Sequence, residues 1–164
     1  YAGIVIDTNN FMNQAGVRTF EAAAFLRRNG ADVVRVRKLF RDKLEDYKAR
    51  AEAIQKAEIF KEYFAISECP AEGIESPTVV GAQAANEMLD IVGIKASFVL
   101  THLDDTIYFS ARSIDEINVQ IMMEKMGGGG HRTIAGAQLK GATIEEAKVK
   151  LKEIITDMLE KGDI

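Results

Sequence analysis

The residues best suited to chemistry in this 164-residue chain gather in Met126–Leu139, MGGGGHRTIAGAQL. Gly127, Gly128, Gly129 and Gly130 run straight into His131 and Arg132, and a second small-residue turn, Ala135-Gly136-Ala137, follows. Glycine loses more backbone freedom on folding than any other residue, so an ordered run implies that something must lie against bare backbone. Consecutive N–H groups with no Cβ in the way can form a concave nest for an anionic oxygen. His131 and Arg132 would then add directional donors at its rim. The pattern points to phosphate binding; the alternative is a flexible loop or a helix C-cap. A second candidate lies in Thr106–Ser113, where alternation puts Ile107, Phe109 and Ala111 on one face and Tyr108, Ser110 and Arg112 on the other. A hydroxyl and a guanidinium two residues apart can grip a phosphate or a base edge, or can simply face solvent. Asn118 is a polar contact or a cap, and Asp7 ends an apolar run.

Around these residues the elements follow from pattern. Ala2–Asp7 reads as a buried strand that presents its terminal carboxylate to a crevice, or as an Asx-turn. Thr19 can cap a helix that Gly30 stops, and Ala31–Phe40 is a basic surface. Arg41–Tyr63 has the period of one long amphipathic helix with no Gly or Pro inside. Phe64–Cys69 is a strand, and Ser76-Pro77 opens a helix to about Val92. Ile94–Leu103 and Thr106–Ser113 form a hairpin about Asp104-Asp105. Ile117–Met126 is a helix whose methionines serve packing, and Ala137–Leu139 is a short strand. Thr143 with Glu146 makes a capping box for a last helix ending near Lys161.

Composition narrows the function classes. At 47% hydrophobic and 28% charged the chain is an ordinary globular sequence. A net charge of −4 excludes an overall basic footprint for long duplex nucleic acid. The single Cys69 excludes an internal disulfide and a multi-cysteine metal site, and suits a reducing cytosol. No apolar run reaches membrane-spanning length and no signal peptide is visible, so a cytoplasmic piece without membrane contact is expected. The start at Tyr1, directly in an apolar run, has the look of a fragment of something larger.

Several runs are familiar together. GIVIDTNNF at Gly3–Phe11 resembles the last motif of the DHH phosphoesterase superfamily, whose Asp is a metal ligand. SARS at Ser110–Ser113, INV at Ile117–Val119 and GGGGHRTIAGAQL resemble the DHHA1 domain that accompanies the DHH domain. VRTFEAAAFLRRNGAD at Val17–Asp32 looks like the closing helix of the DHH domain. TNNFMNQAGVRTFEAAAFLRRNGADV is similar to the cyclic-di-AMP phosphodiesterase branch in particular. There the pair is the C-terminal part of a membrane-anchored protein with PAS and degenerate GGDEF modules. Short-oligonucleotide phosphodiesterases and RecJ-like exonucleases share the shorter motifs less fully. The resemblance implies an α/β fold, a DHHA1-type mixed β-sheet flanked by helices at residues 64–164. A C-terminal remnant of the DHH domain would precede it at 1–40, with a connecting helix at 41–63.

The function it implies is substrate binding within a manganese-dependent phosphodiesterase that opens cyclic-di-AMP to the linear dinucleotide. Alternatives are a portion of a short-oligonucleotide phosphodiesterase or exonuclease, and a non-catalytic nucleotide-sensing module. Two manganese ions would be bound in the intact enzyme, with Asp7 among their ligands. The DHH triplet and the earlier acidic motifs are absent, and Asp7 with His102 and His131 cannot assemble a two-metal centre. The chain alone is therefore expected to be inactive and to depend on a missing N-terminal DHH domain. Gly127–Gly130 is assigned to phosphate oxygens, and His131 to a phosphate or leaving-group oxygen, or else to bonding the sheet behind the loop. Arg112 and Ser110 would meet a second phosphate or a base, and Ser113, Asn118 and Arg132 complete the substrate-binding set. A truncated strand at Tyr1–Asp7 would leave an exposed edge able to pair with another copy, giving a homodimer.

Overall fold

Apolar segments decide this fold by where their backbone groups find partners. A computed structural model describes residues 1–12, 14–114 and 116–163. Asn13, which falls in the run similar to the cyclic-di-AMP branch, lies outside the described residues, as do Asp115 and Ile164. The chain divides into two units, Tyr1–Asp42 and Lys43–Ile164.

The first unit holds α1 (Ala2–Asp7), α2 (Val17–Arg28) and α3 (Val33–Leu39). The strand expected at Ala2–Asp7 is thus a helix, and the strand edge invoked for pairing with a second copy is not there. A short apolar run does not distinguish strand from helix by pattern. A helix satisfies its N–H and C=O groups internally, whereas a lone strand leaves them all to outside partners. The Thr8 hydroxyl closes α1 by donating to Ile4 O at 2.6 Å and accepting the Phe11 N–H at 3.0 Å. Asn9, Asn10 and Phe11 then turn through left-handed backbone at φ 45°, 57° and 66°. Gly16, not Thr19, is the N-cap of α2. Asp32 Oδ1 accepts from the N–H groups of Val34 and Arg35 at 2.9 and 3.1 Å, so the expected basic surface is a capped helix. None of these three helices has a buried residue.

The second unit runs α4 (Leu44–Gln55), β1 (Glu58–Phe60), β2 (Phe64–Cys69), α5 (Pro77–Met88) and β3 (Ala96–Leu103). It continues with β4 (Thr106–Ser113), α6 (Val119–Lys125), β5 (Gly129–Gly130), β6 (Ile134–Lys140) and α7 (Ile144–Lys161). The helix expected over Arg41–Tyr63 stops at Gln55. Its remainder folds back as β1, antiparallel to β2, through a turn with Lys61 and Glu62 at φ 48° and 69°. Phe60 gains more by packing on the core than by continuing a solvated helix. No helix among the described residues is long and apolar enough to cross a membrane.

The six strands form one sheet in the order β1-β2-β3-β4-β6-β5. Only β2 and β3 are parallel, and α5 connects them. One face carries Phe64, Phe98, Leu100, Ile107 and Phe109 against α6 and α7, with Met122, Met123, Leu151 and Ile155 filling the core. The other face carries Ala65, Cys69 and Val99 against Ala49 and Ala53 of α4 and Val80, Ala84 and Met88 of α5. On that second face two buried hydroxyls bond to helix carbonyls, Ser67 donating to Ala53 O and Ser97 to Ala85 O at 2.6 Å, while the buried Thr101 hydroxyl has no partner among the described residues. At Gly81 α5 lies close against the sheet; a Cβ there would stand 2.6 Å from Thr101 Oγ1.

The glycine run has a structural explanation residue by residue. Gly127, at φ 84°, ends α6, and its N–H reaches Glu124 O at 2.9 Å while that of Gly128 reaches Met123 O at 2.7 Å. These are the paired bonds of a Schellman C-cap. A Cβ on Gly128 would lie 2.1 Å from Gly136 O and 2.6 Å from Ala137 Cα. One on Gly130, at φ 148°, would lie 2.5 Å from Ala135 Cα. Gly127 and Gly129 have nothing within 4 Å of the position, and of the two only Gly127 sits at a positive φ that disfavours a side chain.

Overpacking of this kind typically costs about 1–3 kcal/mol. Gly128→Ala should therefore lower the urea midpoint clearly while Gly129→Ala changes it little; equal effects would refute this account of the run. At α7 the expected capping box is present. Thr143 N–H donates to Glu146 Oε2 at 2.8 Å, and Glu146 N–H donates to Thr143 Oγ1 at 3.2 Å. These bonds, the Thr143 backbone N–H first, hold the Glu146 carboxyl below its ordinary pKa of 4.5. A lowered folded pKa contributes stability above the ordinary value and loses it as pH falls through the lowered one. Thr143→Ala should cost about 1 kcal/mol at pH 7, and Glu146→Gln, which removes the titrating carboxyl, should make the acid limb of a stability–pH profile shallower. An unchanged acid limb would contradict the box.

Candidate functional site

The polar face of β4 is only partly covered, and that gap makes the site. In the β4–β6 ladder Ser110 stands opposite Gly136 and Tyr108 opposite Gln138, so these four share a face. Helix α5 covers β2 and β3 on this side and presents Thr78, in its first turn, beside the exposed part. Gly127 and Gly128 close the opposite rim. The result is an open depression of about 380 Å³ floored by Tyr108, Ser110, Gly136 and Gln138. Gly136 keeps the floor low, since a Cβ there would stand 2.8 Å from Phe109 O.

Arg112 lies two residues beyond Ser110 on the same face, half-buried. Its Nε–H donates to Asn86 Oδ1 at 2.9 Å and its Nη1 to Ala111 O at 2.9 Å. Burial lowers the guanidinium pKa from its ordinary value, and no carboxylate among the described residues raises it. Arginine stays charged at neutral pH all the same. A half-buried cation without a counter-anion is a costly arrangement that an anionic ligand relieves.

The other expected residues fall elsewhere. Ser113 is buried in the sheet, where its hydroxyl donates to Ile117 O at 2.6 Å. That residue holds the segment before α6 and does not face the depression. Asn118 is the N-cap of α6, its Oδ1 accepting the Gln120 N–H at 3.1 Å, so of the two readings the cap is realised. His131 and Arg132 are exposed in the turn between β5 and β6. The His131 N–H donates to Ile134 O at 2.7 Å, and Arg132 O accepts from Val119 N–H at 2.9 Å. With Gly127, Gly128 and His131 N–H groups committed to main-chain carbonyls, the run does not offer a nest of consecutive free donors. Gly129 and Gly130 form the edge strand β5 against β6. Ser110, Gly127 and Gly128 are the predicted residues that line the depression.

Asp7 is exposed at the end of α1. Among the described residues no three His, Cys, Asp or Glu side chains lie close enough to hold a metal ion together. The residues present therefore do not fit the manganese centre that the resemblance implies. Cys69 is no substitute ligand or nucleophile: burial pushes its thiol pKa up to about 11.

Thr78, Asn86, Gly136 and Gln138 were missed by sequence reasoning. Gly136 and Gln138 were accessible in principle, because a strand started at Ile134 rather than Ala137 puts both on the face of Ser110. Thr78 and Asn86 carry no local signal; only the docking of α5 on the sheet brings them to the site.

Comparison with known proteins gives the family of the second unit. The family described as "DHHA1 domain" matches residues 63–160. The chain is 43% identical over 162 residues to the cyclic-di-AMP phosphodiesterase GdpP of Geobacillus thermodenitrificans, covering 98% of this chain and 24% of that protein. It is 44% identical over 163 residues to the cyclic-di-AMP phosphodiesterase PdeA of Listeria monocytogenes, covering 99% of this chain and 24% of that one. The chain spans about a quarter of the length of these curated relatives. An exopolyphosphatase-related protein from Bacteroides fragilis superposes with a TM-score of 0.83 at 20% identity, over 94% of this chain and 48% of that one, a likeness of fold alone. With its mixed sheet, its glycine-rimmed depression and a family match across most of the second unit, the chain belongs to the DHHA1 domain family.

Proposed function

We propose that this chain is the substrate-binding portion of a phosphodiesterase acting on a cyclic dinucleotide, with cyclic-di-AMP as the preferred substrate and the linear dinucleotide as product. The observation that carries the reading is the Arg112 guanidinium, half-buried and without a carboxylate partner among the described residues, on the same sheet face as the Tyr108–Ser110 depression. The depression is large enough for one nucleotide unit. Tyr108 offers an aromatic surface for a base, Ser110 a hydroxyl and Gln138 an amide for polar edges, and Arg112 a charge for a phosphate. The identity to named cyclic-di-AMP phosphodiesterases over nearly the whole chain supports the choice of ligand.

In this reading the chain binds and orients the phosphodiester, and does not cleave it alone. The described residues supply no general base at the depression and no cluster of metal ligands. The manganese ions expected for the superfamily would draw their ligands from outside this chain, with Asp7 at most one of them. The chain's own contribution is to restrict the phosphate and one base to a single pose, which lowers the entropic cost of reaching reactive geometry.

Isothermal titration of the chain with cyclic-di-AMP, linear di-AMP and a tetranucleotide tests the proposal. Removing a charge-assisted hydrogen bond typically loses about 1.5–3 kcal/mol, or roughly ten- to a hundredfold in affinity. Arg112→Ala should weaken cyclic-di-AMP binding by that factor, and Ser110→Ala by less. Equal affinity of wild type and Arg112→Ala for cyclic-di-AMP would refute the assignment. Tighter binding of the tetranucleotide than of either dinucleotide would move the substrate to short oligonucleotides.

A further inference from the structure

We propose that Asn86 is a positioning residue for anion recognition, fixing the Arg112 guanidinium without neutralising it so that its remaining donors meet a phosphodiester oxygen. The inference rests on the reading of this sheet face as the cyclic-dinucleotide site, and adds the residue that sets the orientation of its cation.

Asn86 sits near the C-terminal end of α5, exposed to solvent, 26 positions before Arg112 in sequence. Its Oδ1 takes the Nε–H at 2.9 Å, and Ala111 O takes one Nη1 proton at 2.9 Å. A guanidinium has five N–H donors in a rigid plane. The contacts at Nε and Nη1 fix that plane and leave three donors, one on Nη1 and two on Nη2, without a partner among the described residues. The amide matters because of what it lacks. An aspartate here could form a fork-on-fork ion pair with Arg112 and cancel its charge. An asparagine gives the same acceptor at the same place and leaves the charge available to a ligand.

The surroundings keep it so. Glu87, the acid next in sequence, pairs with Arg50 of α4 at 2.8 Å. Glu116 pairs with Lys95 at 2.5 Å. Ser97, directly across from Arg112 on β3, gives its hydroxyl to Ala85 O at 2.6 Å. These three neighbouring polar groups are thus engaged by other partners, and the partial negative charge at the end of α5 makes the half-buried cation tolerable. Helix α5 consequently carries Thr78 to the depression at one end and orients Arg112 at the other, so one rigid element sets both parts of the face.

A purely structural tie between α5 and β4 would be held at least as well by aspartate, and this separates the two roles. The chain is titrated with cyclic-di-AMP, and separately with inorganic pyrophosphate, as wild type, Asn86→Ala and Asn86→Asp. Thermal melting and the Arg112 Nε–H resonance are followed alongside. The expected result is roughly tenfold weaker binding in Asn86→Ala and at least as large a loss in Asn86→Asp. Asn86→Asp should nevertheless melt like wild type and keep a sharp Nε–H signal, which broadens in Asn86→Ala. Wild-type affinity in Asn86→Asp overturns the proposal. If wild type ignores cyclic-di-AMP but binds pyrophosphate with the same dependence on Asn86, the positioning role stands and the dinucleotide reading fails. If neither anion binds, both are overturned.

Discussion

Backbone laid directly on backbone at Gly128 and Gly130 is the constraint on which this sheet edge depends. Ala135, Gly136 and Ala137 of β6 leave no room for a side chain on either residue. Because the chain can pass that closely, α6 ends by a Schellman turn and crosses at once to pair as β5. The apolar side of α6, with Val119, Met122 and Met123, stays seated on the core while Gly127 and Gly128 reach the rim of the opposite face. A bulkier turn would push β5 away from β6 and open the rim. The glycines therefore shape the depression through what they permit the main chain to do, and three of the N–H groups in this stretch are spent on the fold itself.

The two sides of the sheet divide the work. Large side chains of β2, β3 and β4 build one core under α6 and α7, and this contiguous apolar layer supplies the main driving force for the second unit. The opposite side is made of small residues and buried hydroxyls, which lets α5 approach closely at Gly81. The same helix stops short of β6, and the uncovered strip between them exposes Tyr108, Ser110 and Gln138. The polar groups proposed for recognition thus occupy a place that packing leaves free, on strands that packing makes rigid. That combination gives preorganised contacts at little conformational cost.

Much of this was legible in the sequence. The β3–β4 hairpin about Asp104-Asp105, the alternation of β4, the proline-led start of α5 and the Thr143–Glu146 box all rest on local chemistry, and local chemistry decided them. Ala2–Asp7 failed because a short apolar run has no period of its own. The helix over Arg41–Tyr63 was extended too far because Phe60 fits a helical face as well as a strand that packs on the core. The site was legible only in part. Ser110, Gly127 and Gly128 stand in the depression and Arg112 on its face, since alternation and glycine runs are visible one residue at a time. Asn86 and Thr78 depend on how a helix docks 20 to 30 positions away in sequence, and no local pattern encodes that. Asn118 and Ser113 show the converse, polar residues near the depression whose side chains bond to main chain.

The most direct test of the central claim is an amide chemical-shift map of the chain as cyclic-di-AMP is added. The account predicts shifts concentrated at Tyr108–Arg112, Gly127, Gly128 and Gly136–Gln138, with the first turn of α5 moving as well. Shifts confined to the exposed turn at His131–Thr133, or to α7, would contradict it.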